Sequence, residues 1–234
     1  MPLHKLNRYF SENDSVADLV EADYDILPVL SRFSLPLGFG DKTIAELCTA
    51  SGINPEVFLL IVNFIIEGEI EQPRLRKVSP DEVAQFLHNS HDYYLVYKYP
   101  HIRKNLLEAL DPVHSDINPI IVKYFDDYID SVKEHFSYEE NVLFPYVQRL
   151  CAGTADGNYS TEDFISRHDH EVETLLNELK NIILRYYTTA VPYRMYDVLV
   201  DIFNCEDDLR LHSEVENRIL VPMLLNIEKE QRKQ

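Results

Sequence analysis

The chain has 234 residues, 45% of them hydrophobic, with 22 Lys and Arg against 40 Asp and Glu and a formal net charge of −18. That hydrophobic fraction is enough for a buried core and excludes wholesale disorder. The acidic balance repels a polyanion and argues against nucleic-acid binding. Six glycines and no tryptophan speak against turn-rich β folds and glycine-rich phosphate loops, and for helices. Cys48, Cys151 and Cys205 form no C-x-x-C and no even-numbered framework, which suits a reducing compartment rather than a disulfide scaffold. The N-terminal MPLHKLNRYFSENDS has no apolar signal core. The longest apolar stretch, 57–66 with Asn63 inside it, is too short to span a bilayer. The expectation is a soluble, cytoplasmic protein.

Residues 1–70 read as short helices. Ser15 is placed to cap a helix through Val16, Leu19 and Val20. A second covers roughly 25–33 around Pro28, and the LPLGFG run at 35–40 breaks it. A third covers 41–50. A fourth, about 55–67, starts at Asn54-Pro55, with proline suited to the first helical position. The run 69–80 (EIEQPRLRKVSP) is polar, holds two prolines and lacks a helical period, so a linker is expected at 71–80. Four long helices follow, at about 81–110 (kinked at Pro100), 118–151, 161–187 and 193–230. Short connections between them predict an up-down-up-down four-helix bundle over 81–234. The run KTIAELCTASGINPEVF has a superficial helix-turn-helix look, but no basic recognition helix accompanies it.

Two of the long helices carry one motif, H-x3-E-x3-L-x-P, as His135/Glu139/Leu143/Pro145 and His212/Glu216/Leu220/Pro222. Residues at i and i+4 lie one turn apart on one face. The faces are apolar: Val132, Phe136, Val142, Leu143 and Tyr146 share the first, Leu209, Ile219 and Leu220 the second. A buried carboxylate without a positive partner costs several kcal/mol, on the order of an ion's desolvation penalty. No Arg or Lys of the second and third helices lies on these stripes, so a metal is the economical partner. His168 shares a stripe with Val172, Leu175, Leu176 and Leu179, and His91 with Ala84, Leu87, Tyr94 and Leu95.

Depth along the bundle agrees at two of three connections. Measured from the first connection, His91 and His135 lie 23 and 21 residues away, and His168 and His212 each lie 22 from the third. Across the middle loop the distances are uneven. Four histidines and two bridging glutamates, with an oxo or hydroxo bridge, leave roughly two open positions on two six-coordinate metals. Open positions suit a small-molecule ligand. His/carboxylate ligation suits iron, with zinc or manganese as the other metals such ligands accept. His88, His101 and His170 read as solvated or supporting groups, and Tyr94, Tyr97, Tyr124, Tyr128 and Tyr146 as packing at the core edge, where one or two are placed to donate to a bound oxygen species. The acidic runs Asp126, Asp127, Asp130 and Glu206, Asp207, Asp208 read as solvated faces.

The stretches NSHDYYL, VKEHFSYEENVLFP, SRHDHE and LRLHSEVENRILVP resemble the hemerythrin-like, HHE cation-binding proteins, and more closely the bacterial di-iron family that repairs iron centres. The resemblance runs over nearly the whole chain, including motif order and spacing. It implies as ligands His91, His135, Glu139, His168, His212 and Glu216. Family members often carry a further histidine where His114 stands, but His114 precedes His135 by 21 residues, about 31 Å along a helix, so it stays outside the set. Residues 1–70 resemble that family's small N-terminal helical domain, yet 33–41 lack its cysteine pair.

The expected protein is therefore all-α: a small helical domain, a linker and a bundle holding a dinuclear site. The resemblance implies two iron ions, O2 or NO as gaseous ligand, and protection or repair of iron–sulfur proteins under nitrosative or oxidative stress. The rival is a reversible O2/NO sensor or storage module without catalysis. A third reading is a structural bundle with a vestigial or zinc-filled site. The residues leave open whether turnover accompanies binding, and which oligomeric state is adopted.

Overall fold

The computed structural model describes residues 9–155, 158–166 and 171–232, the side chains of 171–174 apart. The chain is all-α: the described residues hold helices and one isolated bridge, Ser15 to Thr43. The Ser15 hydroxyl accepts the Asp18 N–H and starts Val16–Ala22 (α1). The expected second helix is a 3-10 turn, Tyr24–Ile26, leading into Leu27–Arg32 (α2), with Pro28 in its first turn, where no intrahelical N–H is needed. Thr43 and Glu46 close a reciprocal capping box on Ile44–Ala50 (α3). Asn54 caps Pro55–Glu67 (α4), which ends at left-handed Gly68, φ 76°. Within the expected linker, Gln72–Leu75 forms a short helix (α5).

Three long helices follow the expected bounds closely: 80–109 (α6), 118–151 (α7) and 192–231 (α10). Between them lie Thr161–Ile165 (α8) and Glu171–Tyr186 (α9). Residues 167–170, inside the expected third bundle helix, lie outside the described residues.

The chain forms two compact units, Met1–Ser90 with Glu214–Gln234, and His91–Ser213. In the first, Phe33 packs on Phe58 and Phe86, with ring centroids 5.2 and 4.8 Å apart. Buried Asn63 bonds the Phe10 backbone in both directions, at 2.9 and 3.0 Å, and Glu71 at 3.0 Å. Arg218 donates to the Gly68 carbonyl at 2.8 Å and lies over the Phe64 ring.

In the second unit, α6, α7, α9 and α10 all contribute to one core, including Tyr94, Ile102, Leu106, Phe125, Val132, Phe136, Leu179, Val198 and Ile202. The α6–α7 and α9–α10 connections meet at one end. The Asp111 N–H donates to the Tyr187 hydroxyl at 2.5 Å, and the Ala190 N–H to the Asp111 carboxylate at 3.3 Å. Successive long helices therefore reverse direction, as an up-down-up-down bundle requires. Lys98–Asp201 at 3.0 Å and the two bonds of Arg103 to Asp126 at 2.7 and 2.9 Å tie helices together from outside. The acidic runs are only partly solvated: Glu206 accepts from Lys180, itself 8% exposed, at 2.5 and 2.6 Å. Lysine is buried there with a carboxylate partner, as a desolvated charge must be.

Candidate metal centre

Three helices widen by one residue where the site is built. The Tyr99 N–H donates to the Tyr94 carbonyl, Phe144 to Glu139, and Val221 to Glu216, each five residues back. Pro100, Pro145 and Pro222 follow directly. A proline in a helix has no N–H to give and its ring clashes with the carbonyl four residues back. An added residue in the preceding turn relieves the clash, and such π turns recur at functional sites. Two of the three open on a site carboxylate, Glu139 or Glu216.

His91, Glu139 and His212 are 3%, 0% and 1% exposed. Their ligand atoms lie within 4.8 Å of one another. Nε2 of His91 is 2.8 Å from Oε2 of Glu139, and Nε2 of His212 is 3.9 Å from the same oxygen. The other oxygen, Oε1, faces Nε2 of half-buried His135 at 2.7 Å. One carboxylate thus turns its two oxygens toward different histidines. Among the described residues, neither oxygen, nor Nε2 of His91, has a hydrogen-bond partner of acceptable geometry. Burial alone pushes the Glu139 carboxyl up, but the contacts with His135, His212 and His91 outweigh it and hold it well below the usual range. A buried, ionised carboxylate ringed by imidazole nitrogens fits a borderline divalent cation.

The walls are aromatic. The His91 ring stacks on Phe136 at 3.9 Å and on Phe144 at 5.5 Å. Tyr94, fully buried, stands edge-on to His212 at 6.1 Å. Nδ1 of His91 meets Oε1 of Glu140 at 2.6 Å. The sequence reading passes over Glu140, because a residue next to Glu139 falls off the apolar stripe.

Glu216 is buried one turn beyond His212 on α10. His168 lies outside the described residues. His114 sits in the α6–α7 connection, 3.2 Å from Thr188 and packed on Tyr187. His101 is exposed and stacks on exposed Tyr97.

Residues 98–224, more than half of the chain, match the hemerythrin HHE cation-binding domain. The chain belongs to this family of cation-binding helical proteins. The match takes in His135, Glu139, His212 and Glu216, and His91 stands seven residues ahead of it. Among individual relatives, the iron-sulfur cluster repair protein YtfE of Salmonella typhimurium is 25% identical over 173 residues, 69% of this chain and 76% of that protein. Among the described residues, no helix is long and apolar enough to cross a membrane.

Proposed function

We propose that this is a non-haem di-iron protein that protects or repairs iron–sulfur centres under nitrosative or oxidative stress. His91, His135, Glu139, His168, His212 and Glu216 would hold the two metals, with residues 1–70 as a small helical domain, 71–80 as a linker and 81–234 as the bundle. The observation that carries the reading is Glu139: fully buried, with each oxygen turned to a different histidine. The likeness to the iron–sulfur cluster repair protein supports the cellular role. Bound iron would supply one-electron redox chemistry and positions open to O2 or NO.

The protein's own groups divide the work. Glu139 and Glu216 would offset part of the metals' positive charge, and the histidines would hold them as neutral ligands. Phe136 and Phe144 keep water from the His91 side. Among the described ligands His135 is the most exposed, with 28% of its side chain accessible, and would be the edge where a small gas enters or iron leaves.

The test is elemental analysis of protein purified without oxygen and without added metal, followed by incubation with a nitric-oxide-damaged iron–sulfur enzyme. The expected result is about two irons per chain and recovery of the damaged enzyme. Zinc, or less than about half a metal per chain, overturns the di-iron reading. The apolar aromatic lining beside His91 favours one second reading, a reversible O2 or NO carrier or sensor. Two irons with a stable oxygen adduct and no rescue would select it.

A further inference from the structure

We propose that Glu140 is the positioning residue for His91: it fixes which nitrogen of that ring faces the metal. The inference rests on the metal-binding reading above and adds to it a carboxylate that is not itself a ligand.

The His91 side chain is 4% exposed and stacked on two phenyl rings, tilted from it by only 16° and 18°. Stacking fixes the plane of an imidazole but not its orientation within that plane. A half-turn about the Cβ–Cγ bond exchanges Nδ1 with Cδ2 and Nε2 with Cε1 at no cost to the stacking. In-plane polar contacts therefore decide the orientation. On one side, Oε1 of Glu140 lies 2.6 Å from Nδ1. A carboxylate only accepts, so Nδ1 carries the hydrogen and donates it. The lone pair of a neutral ring is then on Nε2, which lies 2.8 Å from Glu139 but makes no hydrogen bond of acceptable geometry among the described residues. The flipped ring would turn Cδ2 to the Glu140 carboxylate and lose this bond.

The two carboxylates on either side of His91 are consecutive in sequence, and they do opposite jobs. Glu139 is fully buried and faces three histidines. The Glu140 side chain is 33% exposed, so water can solvate its charge. The motif's second copy carries the same two ligand types but reads Glu216-Asn217, where the first reads Glu139-Glu140. The extra carboxylate belongs to the α7 copy alone, where His91 of α6 packs against it. Hydrogen-bonded carboxylates of this kind orient a metal-bound imidazole and raise its basicity.

The experiment compares wild type with Glu140→Leu and Glu140→Gln by zinc titration against a competing chelator. It adds imidazole 15N spectra of the zinc-loaded proteins and thermal unfolding of the metal-free ones. The expected result is zinc affinity lowered about 10- to 100-fold in Glu140→Leu, with a changed Nδ1 resonance for His91. Partial rescue is expected in Glu140→Gln, whose amide oxygen still accepts. Metal-free melting temperatures stay close to wild type, which separates orientation from folding. Full affinity and an unchanged His91 resonance in Glu140→Leu overturn the inference and leave the metal site standing. A wild type that takes up no zinc or iron overturns the underlying reading instead, and the inference with it.

Discussion

The backbone N–H of Phe144 donates to the carbonyl of Glu139, five residues back instead of four. This bond is the local reason Glu139 has its place. Pro145 cannot donate and cannot sit against the carbonyl of Asn141 in a regular helix. The helix takes in one extra residue, and the register of everything before it shifts relative to everything after. Val132, Phe136 and Glu139 on one side and Leu143, Tyr146 and Val147 on the other can then all be buried.

Replacing Pro145 with Ala removes the cause of the extra residue. Proline inside a regular helix costs about 3 kcal/mol relative to alanine, so the substitution is expected to hold or raise the melting temperature. It is also expected to turn Glu139 away from His91 and lower metal content below about half of wild type, since small misplacements of a ligand weaken a site. Calorimetry and elemental analysis on the same sample check both halves. Wild-type metal content would break the link between the proline and the carboxylate.

Replacing Glu139 and Glu216 together with Leu probes the chemistry of the site. Both side chains are fully buried, and apolar residues of similar size in place of buried ionic groups are often neutral or stabilising by about 1–4 kcal/mol. The metal-free double variant is expected to unfold at equal or higher denaturant than metal-free wild type, with metal binding abolished. Retained metal would remove both glutamates from the ligand set.

Much of this architecture is legible in the residues, for physical reasons. The α4 and α7 bounds follow from Asn-Pro starts, and the buried faces of α6, α7 and α10 from apolar spacing at about 100° per residue. The π turns are not visible in that spacing, because a window of helical period tolerates one extra residue. The recurring proline after each motif is the signal that reveals them. Glu140 is missed because its partner comes from another helix. Glu206 is taken for a solvated charge for the same reason, since Lys180 reaches it from α9.

The three cysteines are expected to differ sharply in reactivity. Cys48 is 1% exposed, and burial pushes its thiol up to about 12. Cys205 is 2% exposed, and Cys151 is on the surface. The thiolate is the reactive form, so a disulfide-exchange reagent at about pH 8 is expected to modify Cys151 rapidly in the native protein. Cys48 and Cys205 are expected to react only on unfolding. Rapid modification of Cys48 in the folded chain would show that α3 opens locally.

Tyr99 and Tyr128 predict the alkaline limit of stability. Both are buried in the second unit's core, with their hydroxyls 3.2 Å apart. Burial pushes both phenols up, Tyr99 well above the ordinary value and Tyr128 likewise, against a small opposing effect of the bond from Tyr99. A raised folded pKa means the fold holds the phenolic proton more tightly than the unfolded chain does. The resulting stability is fully present below the unfolded pKa of about 10 and is lost as pH rises above it. Replacing both with Phe removes the hydrogen bond and both titrations together, at a cost of about 1 kcal/mol or less near neutrality. Denaturant unfolding between about pH 9 and about pH 11 is therefore expected to show a steeper loss of stability in wild type than in the double variant. Parallel curves would mean that the two phenols ionise alike in folded and unfolded chains, and that other groups set the alkaline limit.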